Sequence, residues 1–324
     1  MIDTHKAAMI GCGLVGSTTV FSLMQRELFS EIVMIDTDTD RAVGEAMDLS
    51  HGMSFIGQTD IHQGYYDELG DADIIMISAG VQSSSEEDRL SLASRNVATM
   101  ENIIDRIMST NFEGIILVIS NPVDVLTYVA WVQSGLPYRH IIGSGTVLDT
   151  ARLKSIIGSR LDVDRRCVHG CILGEHGDSE FVPWSRVNIS GVPIYNFCRC
   201  EENHSHSFNY QHVSDYEQET AKLLNEVRKS AYEIIKRKRA TYYGIAMAVT
   251  RICDAIIRDE KTILPVSGIM QGEYDLYDVA LSMPCIVGAG GIESHVPYPL
   301  NEEEYGALRN SANVIKNVLG ENGY

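Results

Sequence analysis

One histidine of this chain lies among residues that suit acid–base chemistry. His176 occurs in the segment L-G-E-H-G-D-S, residues 173–179, directly after an apolar run. An imidazole can donate or accept a proton near neutral pH. Upstream, Asp149 and Arg152 are three positions apart, so on a helix they share one face. We expect the carboxylate to orient the imidazole and the guanidinium to hold a substrate carboxylate through two hydrogen bonds.

A glycine pattern near the start of the chain predicts a dinucleotide site. Gly11, Gly13, Val15 and Gly16 belong to G-C-G-L-V-G, which follows a short apolar strand at residues 7–10. A second predicted strand, at 31–36, ends in Asp36. In this arrangement backbone amides receive a pyrophosphate, while the acid accepts from ribose hydroxyls and repels a 2′-phosphate. The pattern therefore predicts NAD rather than NADP.

The charge of the chain limits its partners. The 324 residues carry a formal net charge of −18, with 44% hydrophobic and 22% charged residues. This composition predicts a globular protein with one large or two tightly joined domains, and it argues against nucleic acid or an anionic membrane as a partner. An acidic enzyme that acts on an anion must concentrate positive charge locally, and Arg89 and Arg152 offer the means.

Residues 7–25 contain no charged side chain and could be mistaken for a membrane span or a secretion signal. Glycines and hydroxyl side chains interrupt this run, so strand, turn and helix explain it better. The seven cysteines are odd in number and suit reduced thiols. We therefore expect a cytoplasmic protein.

Strands alternate with helices through the first part of the chain, which predicts a doubly wound parallel sheet of the Rossmann type. After the first two strands, further strands are expected at 73–78, 115–120 and 140–144, with helices at 90–108 and 123–135. We assign residues 1–145 to a dinucleotide-binding domain and residues 146–324 to an α+β substrate domain.

The expected substrate domain mixes longer strands with long helices. The pattern predicts strands at 167–173, 181–194 and 263–287, and helices at 214–238 and 241–258. A last helix is expected after Asn301, with Glu304 placed for a capping box.

Together these motifs resemble the L-lactate/L-malate dehydrogenase family over nearly the whole chain, and the lactate branch is the closer match. The resemblance implies that loop 79–89 closes over the substrate and that Arg89 polarises its carbonyl. It also implies that Asn121 binds the nicotinamide ribose and helps to place the substrate oxygen, that Thr241 lines the pocket, and that the chain forms a homotetramer.

The implied reaction is hydride exchange between NAD and a small 2-hydroxy acid, with pyruvate and L-lactate as the expected pair. Protonated His176 would donate to the carbonyl oxygen in reduction, and neutral His176 would accept the hydroxyl proton in oxidation. Malate dehydrogenase, a broader L-2-hydroxy acid dehydrogenase and a catalytically silent NAD-binding protein are the alternatives. The joint presence of His176, Asp149, Arg152 and Arg89 counts against the silent protein.

The substrate side chain depends on Ser83, three positions after the loop glycine Gly80. In the resembled family the malate branch has arginine at this position and the lactate branch usually has glutamine, so this chain departs from both. Serine cannot neutralise a second carboxylate, which favours pyruvate over oxaloacetate. A shift of one residue in this loop would place Gln82 there instead.

Two further sets of residues concern regulation and metals. Bacterial members of the family often bind fructose 1,6-bisphosphate between subunits through an arginine and a histidine. Here those places hold Lys154 and His169, and lysine lacks the two-point geometry, so we expect weak or absent activation. The second set could be read as a metal cluster and comprises Cys198, Cys200, His204, His206 and His212. Its spacing is poor for structural zinc, so we expect no metal there.

Overall fold

The structure, a computed structural model, describes residues 4–81, 89–197 and 213–324, without side-chain detail at 89–91 and 213–215. Its α-helices are α1 (Leu14–Met24), α2 (Thr39–Met53), α3 (Arg89–Met108), α4 (Val123–Ser134), α5 (Val147–Leu161), α6 (Val213–Lys238), α7 (Tyr243–Ile257) and α8 (Glu302–Glu321). Its strands are β1 (Lys6–Ile10), β2 (Glu31–Ile35), β3 (Asp60–Gln63), β4 (Ile74–Ile77), β5 (Ile115–Val118), β6 (Ile141–Gly143), β7 (Val168–His169), β8 (Asn188–Ile189), β9 (Val192–Pro193), β10 (Thr262–Ile269), β11 (Ala280–Gly288) and β12 (Gly291–His295).

The described strands form a nine-stranded sheet in the order β12-β11-β10-β6-β5-β4-β1-β2-β3, and a three-stranded sheet in the order β7-β8-β9. All pairings from β6 to β3 in the large sheet are parallel. The chain reverses its direction of winding between β1 and β4, and ligands of such sheets bind at the carboxyl ends of the strands beside that point. The predicted doubly wound fold of the first part of the chain is confirmed.

The parallel strands are apolar throughout because helices cover both faces of the sheet. In β1, Ala8 and Ile10 belong to one core, whereas Ala7 and Met9 belong to the other. Helices α3, α4 and α8 pack on the first face, and α1, α2 and α7 pack on the second. Alternation with a period of two thus fixes which helices each strand residue contacts.

The second part of the chain continues the same sheet in antiparallel fashion. Ser267 of β10 pairs with Gly143 of β6, and β11 and β12 follow as antiparallel neighbours. A third core fills the space between α5, α6 and the small sheet β7-β8-β9. The boundary predicted between residues 145 and 146 falls between β6 and α5, and the division into two domains stays a prediction.

Helix α8 begins as the sequence predicts. The Asn301 side chain accepts from the Glu304 backbone N–H at 2.9 Å, and the Glu304 carboxylate accepts from the Asn301 N–H at 3.0 Å. Leu308 and Ile315 on one face of the helix are buried in the first core. The capping box is therefore confirmed.

Several strand predictions for the short and marginal strands were wrong. Strands β3 and β12 were missed because they lie at the two edges of the large sheet and carry polar residues, so they lack an apolar run. Only Val168–His169 of the expected strand 167–173 is a β-strand. Residues 181–194, expected as strand with a turn at Ser-Gly-Val-Pro (190–193), contain the 3₁₀ turn Trp184–Arg186 and the short hairpin β8–β9, which turns at Ser190 and Gly191.

The charge-free run at residues 7–25 folds as strand, turn and helix, as predicted. Within the described ranges, no helix combines the length and apolar character that a membrane span requires.

Candidate active site

The glycine turn between β1 and α1 is shaped for close backbone approach. Gly11 has a φ of +102°, and a Cβ there would lie 2.5 Å from the backbone nitrogen of Ala79. A Cβ on Gly16 would overlap the Gly11 carbonyl oxygen, so helix and strand need glycine at both positions. Gly13 precedes α1 with open space around it and with no side chain capping the helix. Val15 packs on the second core. The N-terminus of α1 therefore suits a phosphate group.

Asp36 directly follows β2 and lies beside this turn. Its Oδ2 accepts from the Cys12 backbone N–H at 2.6 Å, and its Oδ1 accepts from the Asp38 backbone N–H at 2.9 Å. These bonds hold the carboxylate against the glycine turn while leaving it partly exposed. A carboxylate in this position can accept from ribose hydroxyls, as the sequence predicts.

A second group of residues meets where α5 faces the loop that follows β7. The Asp149 side chain is 4% exposed, and its Oδ2 lies 2.5 Å from His176 Nδ1. Arg152, one turn later on α5, donates from Nη1 to Asp149 Oδ1 at 2.7 Å. One buried carboxylate therefore holds both the imidazole and the guanidinium, and the predicted trio is brought together.

Asp124 also holds His176, a role that was not predicted from the sequence. This residue lies in the first turn of α4 and is buried. Its Oδ2 accepts from the His176 backbone N–H at 2.7 Å, and its Oδ1 accepts from the Ser267 hydroxyl at 2.6 Å. Asp124 thus joins α4, the histidine loop and β10, which fixes the backbone from which the imidazole projects.

The neighbouring acids change the proton affinity of His176. Burial by itself would lower the pKa of the imidazole, but the charge and hydrogen bond of Asp149, with smaller contributions from Asp124 and Glu180, outweigh it and raise the pKa to about 9. Burial would raise the pKa of Asp149, but His176 and then Arg152 hold it below its ordinary value. Burial raises the pKa of Asp124 to about 6 against the effect of its hydrogen bonds.

At neutral pH the imidazole is therefore protonated. Its Nδ1 faces Asp149, and 29% of the side chain is exposed, so Nε2 can donate a proton to a bound oxygen. Arg152 uses only Nη1 toward a described residue, which leaves its other N–H groups for an anion. The arrangement can bind a carboxylate and protonate an oxygen next to it.

Asn96, a buried residue of α3, connects the segment after β4 to the segment after β5 at the carboxyl ends of these strands. Its Oδ1 accepts from the Val81 backbone N–H at 2.7 Å, and its Nδ2 donates to the Asn121 carbonyl at 2.9 Å. Asn121 itself is exposed at the carboxyl end of β5. Asn96 was not predicted from the sequence, where its only signal is a polar position within an otherwise apolar helix face.

The site suits proton chemistry better than metal binding. Asp149, His176 and Glu180 each bring one possible ligand atom within 4.8 Å of the others. However, a divalent cation there would have to displace the imidazole proton and lie close to Arg152, whose positive charge already pairs with Asp149.

Comparison with known proteins agrees with this geometry. Residues 5–143 match the family description "lactate/malate dehydrogenase, NAD binding domain", and residues 146–322 match "lactate/malate dehydrogenase, alpha/beta C-terminal domain". The chain belongs to the lactate/malate dehydrogenase family. Because its N-terminal part is the NAD-binding domain of that family, its cofactor is NAD.

Individual members of this family are similar over almost their full length. The chain is 44% identical to the L-lactate dehydrogenase of Acetivibrio thermocellus over 318 residues, which are 97% of this chain and 96% of that protein. It is also 44% identical to the L-lactate dehydrogenase of Clostridium botulinum strain Hall over 317 residues, 98% of this chain and 96% of that protein.

Solved structures of lactate dehydrogenases are similar to this chain over almost its full length. The lactate dehydrogenase MGS-M5 from a Medee basin deep-sea metagenome superposes with a TM-score of 0.91 at 42% identity, covering 99% of each chain. The minor L-lactate dehydrogenase of Enterococcus mundtii in its ligand-bound form superposes with a TM-score of 0.89 at 38% identity, covering 98% of each chain.

Some predicted site residues lie outside what the structure describes. Ser83 and the alternative Gln82 belong to the undescribed residues 82–88, and the side chain of Arg89, the first residue of α3, is also undescribed. The candidate zinc ligands between Cys198 and His212 fall within 198–212, outside the described residues as well. These assignments stay predictions.

The remaining predicted residues have described positions. Thr241 lies in the short connection between α6 and α7 and is partly buried. Lys154 and His169 line one cavity of about 350 Å³ together with Cys171, Pro265 and other residues. The two predicted effector residues thus line the same cavity, and Lys154 lies on α5 two positions after Arg152.

Proposed function

We propose that this chain is an NAD-dependent L-lactate dehydrogenase that interconverts pyruvate and L-lactate. The observation that carries this proposal is the Asp149 carboxylate, which holds His176 and Arg152 at 2.5 and 2.7 Å. It places a proton donor beside an anion-binding group. The relatives named L-lactate dehydrogenase, at 44% identity over nearly the whole chain, support the choice of substrate.

In pyruvate reduction, His176 starts protonated and donates its Nε2 proton to the carbonyl oxygen. Asp149 keeps the imidazolium oriented and stabilises its charge, and Asp124 fixes its backbone. In lactate oxidation, neutral His176 accepts the hydroxyl proton. Since the pKa of His176 is raised to about 9, the imidazole is protonated at neutral pH, which is the state that pyruvate reduction requires.

Two arginines and an asparagine complete the proposed substrate site. Arg152 binds the substrate carboxylate with the N–H groups that Asp149 leaves unused. Arg89 stabilises negative charge on the carbonyl oxygen, and Asn121 helps to place that oxygen and binds the nicotinamide ribose. Thr241 lines the pocket.

The cofactor is held by the first part of the chain. Gly11, Gly13, Val15 and Gly16 form the turn that receives the pyrophosphate, and Asp36 accepts from the adenosine ribose. When bound, the nicotinamide supplies or accepts the hydride. The protein contributes position, charge and the proton.

One experiment tests the reaction and the substrate together. Purified protein with NADH should reduce pyruvate and 2-oxobutyrate with higher kcat/KM than oxaloacetate, because Ser83 offers no cation for a second carboxylate. A preference for oxaloacetate would instead support malate dehydrogenase. No activity with any 2-oxo acid would support a silent NAD-binding protein.

A variant separates the proton donor from the cofactor site. His176→Asn should lose at least about a thousandfold in kcat, while NADH affinity by fluorescence titration stays close to wild type. Turnover within tenfold of wild type would remove His176 from the proposed mechanism.

We propose weak or absent activation by fructose 1,6-bisphosphate. The cavity beside Lys154 and His169 has positive charge from the lysine, but lysine binds phosphate as a point charge without a fork. A strong fall in the pyruvate KM at low concentrations of the sugar bisphosphate would contradict this.

We also propose a cytoplasmic homotetramer that acts in glycolysis and fermentation. Large apolar side chains are exposed on α1, α2 and α7, among them Leu14, Phe21, Met47 and Met247, and an assembly would bury them. The cysteines within the described residues are free thiols, as suits a reducing compartment. Light scattering after size-exclusion chromatography should give four times the chain mass of 35.9 kDa.

A further inference from the structure

A third acid lies beside the His176–Asp149 pair and has no part in the mechanism above. Glu180 is only 3% exposed, although it lies on the same loop as His176, four positions later. Its backbone N–H donates to the Gly177 carbonyl at 3.2 Å, which closes a turn after the histidine. One atom of its carboxyl, one of Asp149 and one of His176 lie within 4.8 Å of one another.

The Glu180 carboxyl receives no hydrogen bond from any described residue. Arg228 of α6 donates from Nη2 to the Glu180 backbone carbonyl rather than to the carboxyl, and its Nε is buried without a partner. Among the described residues this carboxyl therefore differs from an anchoring carboxyl such as Asp124, which accepts from the His176 backbone N–H and the Ser267 hydroxyl.

Charged groups face this cluster from every neighbouring element. Helix α5 contributes Asp149 and Arg152, α4 contributes Asp124, α6 contributes Arg228, and the loop itself contributes Glu175. Burial and the like charge of Asp149 raise the pKa of Glu180 to about 8, against the attraction of His176, Arg228 and Arg152. Glu180 is therefore neutral near pH 7 and becomes negative as the pH rises.

We propose that Glu180 is a positioning residue for the acid–base step, a second carboxyl that keeps His176 protonated at alkaline pH. The proposal rests on the proposed function for its kinetic consequence, but the effect on the imidazole holds for the protein alone. Each negative charge this close to the ring favours its charged form. Asp149 supplies a permanent charge, and Glu180 adds a second one only as the pH rises.

The test compares Glu180→Gln with wild type by two measurements. In the first, the His176 imidazole is titrated by NMR in the enzyme without substrate. In the second, kcat/KM for pyruvate is measured from pH 6 to pH 10 with saturating NADH. We expect both midpoints to move down by about one unit, with less than about twofold loss at pH 6.5 and about tenfold loss at pH 9.5.

Three controls make the result specific. Glu226→Gln removes an exposed acid of α6 that pairs with Arg160, and it should move neither midpoint. Glu180→Asp restores an ionisable group and should recover part of the shift. If Glu180→Gln does not fold, Glu180→Met keeps the volume without a polar group and should give the same downward shift.

The outcomes are distinct. Unchanged midpoints in Glu180→Gln or Glu180→Met, with activity reduced by the same factor at every pH, would overturn the proposal and leave a packing role. If wild type reduces no 2-oxo acid, the proposed function fails, and the NMR titration still decides the role of Glu180.

Discussion

Replacing Asp149 by asparagine tests the electrostatics of the site most directly. The amide keeps the shape of the side chain but removes the charge that raises the pKa of His176 from 6.5 to about 9. Burial, which lowers the pKa, is then opposed only by the smaller effects of Asp124 and Glu180, so we expect a value near 6.5. A fall of two to three pKa units corresponds to about 3 to 4 kcal/mol of lost stabilisation of the imidazolium.

The expected loss of activity in Asp149→Asn depends on pH. With midpoints of about 9 and 6.5, the protonated fraction at pH 7 is about 99% in wild type and about a quarter in Asp149→Asn. At pH 8.5 the two fractions differ by a factor of roughly 50 to 100. Any loss of imidazole orientation adds a factor that does not depend on pH, so the ratio of wild type to variant should itself rise with pH.

The assay is kcat/KM for pyruvate with saturating NADH at pH 6, 7 and 8.5. Asp164→Asn is a matched control, because Asp164 is an exposed acid of the same half of the chain that pairs with Arg166 outside the site. A wild-type to variant ratio that is equal at the three pH values would refute the reasoning and would mean that Asp149 acts through geometry alone.

Three further variants test specificity and local structure. Ser83→Arg should shift the preference toward oxaloacetate by about tenfold in kcat/KM, about 1.4 kcal/mol of differential transition-state binding, and an unchanged ratio would remove Ser83 from the specificity site. Arg239→Gly should stabilise the protein by about 0.5 to 1 kcal/mol in urea unfolding, because Arg239 follows α6 with a φ of +71°, where glycine is preferred. Asn301→Ala should cost about 1 kcal/mol in the same measurement, because α8 loses its cap, and an unchanged midpoint would show that the capping box contributes nothing measurable.

Features that depend on residues close together in the chain could be predicted from the sequence. The order of strand, glycine turn and helix at residues 7–25 depends on local sterics, since Gly11 needs a positive φ and Gly16 needs close packing. Asp149 and Arg152 could be paired because a helix places residues three apart on one face. In each case the physical cause lies within a few residues of its signal.

Features that arise when distant segments meet could not be predicted. Asp124 follows Asn121 by three positions, and its role appears only when α4 brings it to the His176 backbone and to Ser267. Glu180 is an ordinary loop acid in the sequence, and its burial against Asp149 depends on how the loop packs. The edge strands β3 and β12 were missed because hydrogen bonding to one neighbour requires no apolar pattern.

The shared anchor of the site also has a consequence for the length of the substrate. Because one carboxylate holds both His176 and Arg152, the proton donor and the anion-binding group are fixed relative to each other. A 2-oxo acid carries its carboxylate and its carbonyl on adjacent carbons, which suits two groups held by one side chain, whereas a 3-oxo acid separates them by one more carbon. Because the separation of His176 and Arg152 is fixed, only substrates whose carboxylate and carbonyl match that separation react efficiently. A net charge of −18 does not prevent anion binding here, because the nearest acid, Asp149, directs two positive groups toward the substrate.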